Sequence, residues 1–475
     1  MQHFKFAKVV GAPLFTFNSF QVQRGRNLRT RLLSWVMSWN CPQRRDMVSL
    51  TADKPDDLID NPVQLTVSGL KAGQRVTCHA SVEENKKRFS SHAHFLANHS
   101  GEVNLESSAS LGGSYTGVDG MGLFWSMSQS PGQQSGLRLA KKDVTTPLVI
   151  HLSLYDGHQT AADLYGTDQL QPLAMQTINR WYLSHDVTRS EVRHGNIRGT
   201  LFTPAGTGPF KGVIDMFGTA GGIMEFRAAL LASRGFIVLS LPYFNYQDLP
   251  KSLVDVDFSY FLEAVNWFSA LPKVHPGGVG VVGVSMGGEI GLWMAVHCPQ
   301  ISAVVNISGN PFLGLYPLKF GSKELPGVGY DFSKLTSSEE GMAFRPGLPT
   351  VLTDKSFYAP IQKSKAKVLI QFGDDDQMNP VEPQYNYLEW LPESKREDVE
   401  LCVYPQTGHL IEPSYSPFCR ASFHILVRDN VVWGGEARAH SANQVIAWRK
   451  LQVFLHENVG QDTATTKDFS HASRL

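Results

Sequence analysis

The residues Gly283-Val284-Ser285-Met286-Gly287 set a serine between two glycines at the spacing of a nucleophile elbow. In such a turn the serine sits at a strained apex between a strand and a helix. A Cβ at either glycine would collide with the neighbouring strand or helix. The chemistry this serves is attack of a serine oxygen on an acyl carbon. The bare pattern is weak in a glycine-rich chain, and this one has 42 glycines in 475 residues. Context strengthens it, because the apolar run 279–284 reads as a strand entering the turn and 286–296 as a helix leaving it. Ser285 is the expected nucleophile.

An elbow serine needs a base for its proton and an acid that fixes the base's tautomer, and in this type of turn they follow in the order Ser, acid, His. The apolar stretch 367–372 ends in Gly373-Asp374-Asp375-Asp376, and 400–404 leads into Pro405-Gln-Thr-Gly408-His409. Both lie just past the carboxyl end of a strand, where open parallel sheets bind ligands. His409 is the expected base. His424 and His440 are its rivals, but neither directly follows a strand end. The Gly-x-x-Asp spacing favours Asp376 as the acid and leaves Asp374 and Asp375 to cap the turn or face solvent. An oxyanion needs two backbone donors. One is expected from Met286, the other from Thr219 or Ala220 in Gly218-Thr219-Ala220-Gly221-Gly222. That loop has neither the Gly-x-Gly-x-x-Gly spacing nor a Gly-Lys-Ser/Thr ending, which argues against a nucleotide cradle.

The elements that must position these groups begin near residue 190. There, short apolar runs (212–217, 236–241, 279–284, 303–307, 367–372, 400–404) alternate with helical stretches (224–233, 258–271, 286–296, 441–457). Near-continuous apolar strands between helices imply a mainly parallel sheet covered on both faces, an α/β fold. Aromatic residues near the elbow (Tyr243, Phe244, Tyr246, Trp293) either line an acyl tunnel or belong to the core, with Trp293 assigned to core. From 47 to 180 the pattern is β instead, with alternating runs at 63–67, 75–82 and 148–155. Residues 92–105 read as two strands joined by a turn at Ser100-Gly101. This predicts a small antiparallel sandwich. His79, His92, His94, His99 and His151 fall mostly on polar strand positions, where a solvated or hydrogen-bonded imidazole is expected and a metal ligand is not.

Lys+Arg and Asp+Glu are equal at 43 each, so no global field recruits nucleic acid or an anionic membrane, and an anionic ligand must be held by local groups. No apolar run approaches the ~18–20 residues that cross a bilayer. The five cysteines (Cys41, Cys78, Cys298, Cys402, Cys419) have neither metal nor disulfide spacing and are expected as free thiols. Both ends read as addresses. Residues 1–45 contain basic but no acidic side chains, with a possible amphipathic helix at 28–36, as in a mitochondrial presequence. Ser473-Arg474-Leu475 is a conservative variant of the peroxisomal Ser-Lys-Leu tripeptide and implies an import receptor as partner. The peroxisome is the expected location, the mitochondrial matrix the alternative.

Four long segments taken together, Asp215-Met-Phe-Gly-Thr-Ala-Gly-Gly, Pro242-Tyr-Phe-Asn-Tyr-Gln-Asp-Leu-Pro, Val281-Val-Gly-Val-Ser-Met-Gly-Gly-Glu and Tyr404-Pro-Gln-Thr-Gly-His-Leu-Ile-Glu-Pro, resemble the type I acyl-CoA thioesterases. That family also contains the bile acid-CoA:amino acid N-acyltransferases. The resemblance runs from about 55 to 460 and includes Leu111-Gly-Gly-Ser-Tyr-Thr-Gly, Gly120-Met-Gly-Leu-Phe-Trp and Trp433-Gly-Gly-Glu-Ala-Arg-Ala-His. It implies an α/β-hydrolase catalytic domain over 186–460 behind a β-sandwich domain over 47–185; outside it, composition leaves the basic extension at 1–46 and a polar tail, expected to be flexible, at 461–475. It places the family's triad on Ser285, Asp376 and His409, with an acyl-CoA substrate and no cofactor beyond the CoA of the substrate itself. The bile acid transferases of the family resemble one another in carrying cysteine at the nucleophile position, while the family also has serine-bearing members that transfer acyl groups. An acyl-cysteine keeps thioester reactivity toward amines, whereas an acyl-serine is an oxygen ester better suited to hydrolysis. Serine at 285 therefore favours release of free acid, with transfer to glycine or taurine as the alternative. A degenerate elbow beside a binding module is a third reading, disfavoured by the intact spacing.

Overall fold

The computed structural model describes residues 47–166 and 170–461, which belong to one compact unit. The basic extension and the Ser473-Arg474-Leu475 terminus lie outside the described residues.

Two sheets form the amino-terminal part. The larger runs in the order Asp56–Leu58, Ala174–Trp181, Leu148–Asp156, Arg75–Glu84, Lys87–Leu96, Ser128–Gln129 and is antiparallel except at its first pair. The smaller joins Ser49–Ala52, Leu65–Ser68 and Val103–Asn104. Alternation drives their packing: Leu148, Ile150, Leu152 and Leu154 are buried, while Val149 and His151 on the opposite face are exposed. The turn at Ser100-Gly101 is present, but the strands before and after it do not form a hairpin. Lys87–Leu96 pairs with Arg75–Glu84 and Val103–Asn104 with Leu65–Ser68, so the chain crosses from one sheet to the other there. His79 is buried and hydrogen-bonded to the Tyr165 hydroxyl at 2.9 Å. Cys78 and Cys298 are buried free thiols, and Cys402 and Cys419 are half-buried free thiols.

The following eight-stranded sheet comprises β1 (Thr188–His194), β2 (Ile197–Thr203), β3 (Phe210–Met216), β4 (Ile237–Ser240), β5 (Val274–Val284), β6 (Ile301–Ile307), β7 (Lys367–Gly373) and β8 (Val399–Tyr404). Its order is β1-β2-β4-β3-β5-β6-β7-β8. All neighbours from β4 onward are parallel, and β1/β2 and β2/β4 are antiparallel. This is the expected α/β-hydrolase sheet. Helices α1 (Phe226–Ser233), α2 (Ser259–Ser269), α3 (Met286–His297) and α4 (Ala437–Asn458) flank it. Every residue of α3 from Met286 to Ala295 is buried, so this helix is a core element rather than an amphipathic one. Trp293 is within that core.

From β3 the chain crosses to β4 on one side and then to β5 on the other. The carboxyl ends of β3 and β5 therefore flank a topological switch point, the crevice where open α/β sheets bind ligands. The two parts of the molecule also share apolar packing. One continuous cluster contains Leu65 and Phe95 of the small sheets, Phe226 of α1 and Trp448 of α4. A hairpin of Ala421–His424 and Asp429–Val432 follows β8 and is bonded to the amino-terminal part by Phe423 N–H to Gly136 O at 2.9 Å.

Candidate active site

Strand β5 ends at Val284, and Ser285 turns the chain directly into α3 at φ 54°, ψ −129°. A non-glycine residue seldom holds such a backbone, and it persists only where the surroundings fix it. Here they do: the Ser285 N–H donates to Ile307 O at 2.8 Å, and Ser285 O accepts from Gly288 and Glu289 N–H at 2.9 and 3.2 Å. The flanking glycines are needed for contact. A Cβ on Gly287 would lie 2.6 Å from Phe217 O, and one on Gly218 would lie 2.9 Å from the Ser285 Cβ. These two approaches bring the loop after β3 against the elbow.

That loop is anchored from behind. Arg227 of α1 donates to buried Asp215 at 2.6 Å and to Met216 O at 2.9 Å. Burial pushes the Asp215 carboxyl up to about 6 against the opposing pull of Arg227. The Tyr243 hydroxyl donates to Phe217 O and Gly218 O at 2.8 and 3.1 Å. Tyr243 and Phe244 are thus core and loop support, not the walls of a tunnel. Met286 opens α3, so its N–H has no carbonyl of its own helix to meet. Thr219 and Ala220 line the same cavity as Ser285.

The expected acid, Asp376, and the expected base, His409, approach from the ends of β7 and β8. Asp376 is 0 % and His409 2 % exposed, and Asp376 Oδ2 lies 2.7 Å from His409 Nδ1. The other carboxylate oxygen accepts the N–H groups of Met378 and Asn379 at 2.7 and 3.0 Å, which fixes its orientation. Asp374 instead accepts from the Gln406 N–H, and Asp375 from the Gly435 N–H, so all three aspartates hold loops but only Asp376 meets the histidine. His409 stacks on Trp433, with centroids 5.7 Å apart and planes 18° from parallel, and donates its own N–H to Trp433 O. Ser285 and His409 face one cavity, although no hydrogen bond joins them among the described residues.

His440 is close to His409 but does different work. Its Nδ1 accepts the Gly408 N–H at 3.0 Å, and its Nε2 lies 3.0 Å from Leu410 O, so one imidazole brackets His409 on both sides. This arrangement requires the neutral ring with a proton on Nε2, and burial lowers the His440 pKa to about 4. His440→Ala removes the bracket and is expected to cut kcat by about 10- to 100-fold while the circular dichroism stays native. Steady-state kinetics on the purified variant checks this. His424 lines the cavity 3.3 Å from Thr219 Oγ1 and against the Trp433 edge. Burial, and secondarily the nearby His409, lower its pKa.

Behind the elbow, Glu289 is buried and accepts from Asn310 N–H, Asn310 Nδ2 and Gly314 N–H at 3.2, 2.8 and 2.9 Å. Burial raises its carboxyl to about 7 in spite of these donors, against an ordinary value of 4.5. The unfolded chain therefore loses this proton near pH 4.5 while the folded chain holds it to about 7. The associated stability is complete below about pH 4.5 and is lost as pH rises toward 7, by roughly 3 kcal/mol. Denaturant melts of the parent and Glu289→Gln between pH 5 and 8 should show the parent losing stability more steeply; parallel curves contradict the assignment.

The cavity above these groups encloses about 580 Å³, within the range of small-molecule sites. Phe217, Met224, Met378, Leu410, Ile425 and Trp433 give it apolar walls. Residues 134–138, the 421–432 hairpin and Trp433 join the site through contacts distant in sequence, and a double glycine follows Trp433. Gly434 and Gly435 both have positive φ there.

Residues 60–194 match the family described as acyl-CoA thioester hydrolase/BAAT N-terminal region, and residues 256–461 match the BAAT/acyl-CoA thioester hydrolase C-terminal family. Human acyl-coenzyme A thioesterase 1 is 39% identical over 411 residues, covering 86% of this chain and 95% of its own. Rat acyl-coenzyme A amino acid N-acyltransferase 2 is 40% identical over 421 residues, covering 87% of this chain and 99% of its own. Mouse bile acid-CoA:amino acid N-acyltransferase is 40% identical over 424 residues, 88% of this chain and 100% of its own.

Proposed function

The chain belongs to the acyl-CoA thioester hydrolase/BAAT family of enzymes, and from that premise we propose that it hydrolyses fatty acyl-CoA to free fatty acid and CoA through an acyl-Ser285 intermediate. The observation that carries this reading is the buried His409–Asp376 pair, 2.7 Å apart, opening on the cavity that Ser285 also lines. Ser285 Oγ attacks the thioester carbonyl carbon and its proton passes to His409 Nε2. Asp376 holds the proton on Nδ1 and stabilises the imidazolium. Negative charge on the carbonyl oxygen is met by the Met286 N–H and an N–H of the Thr219-Ala220 loop. The C–S bond then breaks and His409 returns its proton to the CoA sulfur. Water attacks the acyl-serine carbonyl, giving its proton to His409, and the free acid leaves as Ser285 Oγ is reprotonated.

Relatives of similar identity carry hydrolase and transferase names alike, so identity does not separate the two reactions. Serine at 285 favours hydrolysis, because an oxygen ester is less activated toward an amine than a thioester is, and transfer from an acyl-serine to glycine or taurine is the alternative that product analysis tests. Incubation with palmitoyl-CoA should release free palmitate at a rate unchanged by excess taurine or glycine, as read by mass spectrometry of the products. N-palmitoyl taurine as the main product contradicts the hydrolytic assignment. Ser473-Arg474-Leu475 supports a peroxisomal address for this activity.

A further inference from the structure

The chain has no net charge, yet the cavity wall is one-sided: Lys87, Arg138 and Lys142 line it and no aspartate or glutamate does. Arg138 is half-buried and paired with Glu412, which cancels its charge locally. Lys87 and Lys142 are exposed, and among the described residues neither has a carboxylate partner. Asp143, next in sequence to Lys142, is already engaged by the Thr145 N–H and hydroxyl at 3.0 and 2.6 Å.

The fold builds this pair of free cations. Lys87 follows the tight turn Asn85-Lys86, whose two residues have φ of 52° and 64°, between strands Arg75–Glu84 and Lys87–Leu96. Lys142 sits in the loop before Leu148–Asp156. The buried Lys141 ammonium ties the two together, donating to Glu84 at 2.9 Å, to Thr146 Oγ1 at 3.0 Å and to Pro147 O at 3.2 Å. Lys141 thereby pairs with Glu84, the residue opposite Lys87 in the hairpin, and clamps the Lys142 loop to it, while Glu83 stands opposite Arg88. The neighbouring segment is held as well, by Ser130 N–H to Arg88 O at 2.9 Å and Arg88 N–H to Gln133 at 3.3 Å.

Resting on the thioester reading of Ser285, we infer that Lys87 and Lys142 bind the phosphates of the CoA nucleotide. The 3′-phosphate and diphosphate are then held at the mouth by the amino-terminal part, while the acyl-thioester end reaches Ser285 along the apolar walls. A fatty acyl-CoA has one anionic end and one apolar end, and this cavity separates the same two characters. Lysine ammonium groups suit phosphate as point charges without demanding one fixed geometry.

The test is Lys87→Glu/Lys142→Glu against palmitoyl-CoA and against palmitoyl-pantetheine, which has the same thioester and no nucleotide. KM for palmitoyl-CoA should rise about ten-fold or more with kcat changed less than about two-fold, and KM for palmitoyl-pantetheine should not follow. Added salt should raise KM for palmitoyl-CoA in the parent and much less in the variant. An unchanged KM for palmitoyl-CoA, or equal increases for both substrates, overturns the assignment. Calorimetric titration with free CoA is independent of turnover. About ten-fold weaker CoA binding in the variant supports the site even if the parent hydrolyses neither thioester, and equal binding refutes it.

Discussion

Ser285→Ala is expected to reduce palmitoyl-CoA hydrolysis at least about 10,000-fold, with unfolding free energy within about 1 kcal/mol of the parent. The substitution removes a single oxygen and leaves the Cβ that packs against Gly218. The backbone bonds to Ile307, Gly288 and Glu289 that hold the elbow do not involve the side chain. Substrate binding should survive, so CoA affinity measured by calorimetry stays near that of the parent while turnover disappears. A variant that retains a tenth of the parent activity would remove Ser285 from the reaction. It would return the elbow to the status of a strained turn beside a binding cavity.

The second large effect is expected at Asp376. In Asp376→Asn the amide oxygen can still accept from the Met378 and Asn379 N–H groups, so the loop should stand. The amide NH₂ then faces His409 Nδ1 where Oδ2 stood at 2.7 Å. Nδ1 becomes the acceptor and the proton moves to Nε2, the nitrogen that must take the Ser285 proton. At 0 % exposure no water can take over the role of the carboxylate. A fall in kcat of about 10,000-fold with little change in KM is expected, as for other enzymes whose triad histidine is forced into the wrong tautomer. A loss smaller than about ten-fold would assign Asp376 to loop structure alone.

The candidate site residues Ser285, Asp376 and His409 were legible because each follows a strand whose apolar run is local in sequence. Val279–Val284 feeds Ser285, Lys367–Gly373 feeds Asp376, and Val399–Tyr404 feeds the loop of His409. The parallel sheet then brings these strand ends together regardless of the residues that intervene in the chain. What holds the residues was less legible because it is assembled by contacts distant in sequence. His440 as a bracket comes from α4, 32 residues after Gly408, and in sequence it is one more histidine without a strand before it. The cavity wall joins Gly136 to Phe423, and no periodicity encodes that meeting. Tyr243 left two readings open because an aromatic beside an elbow serves a core or a tunnel equally well until its hydroxyl partners, Phe217 O and Gly218 O, are seen. The Ser100-Gly101 turn misled for a related reason. A turn glycine marks a reversal but does not say which sheet the next strand joins.

The proposed reaction passes an acyl group through Ser285, and the most direct measurement is mass spectrometry of the protein quenched in acid milliseconds after mixing with palmitoyl-CoA. A protein heavier by one palmitoyl group is expected, with the label on the peptide containing Ser285 and absent from Ser285→Ala. A label on another residue, or steady CoA release with no acyl-enzyme at any time point while Ser285→Ala remains active, would contradict it.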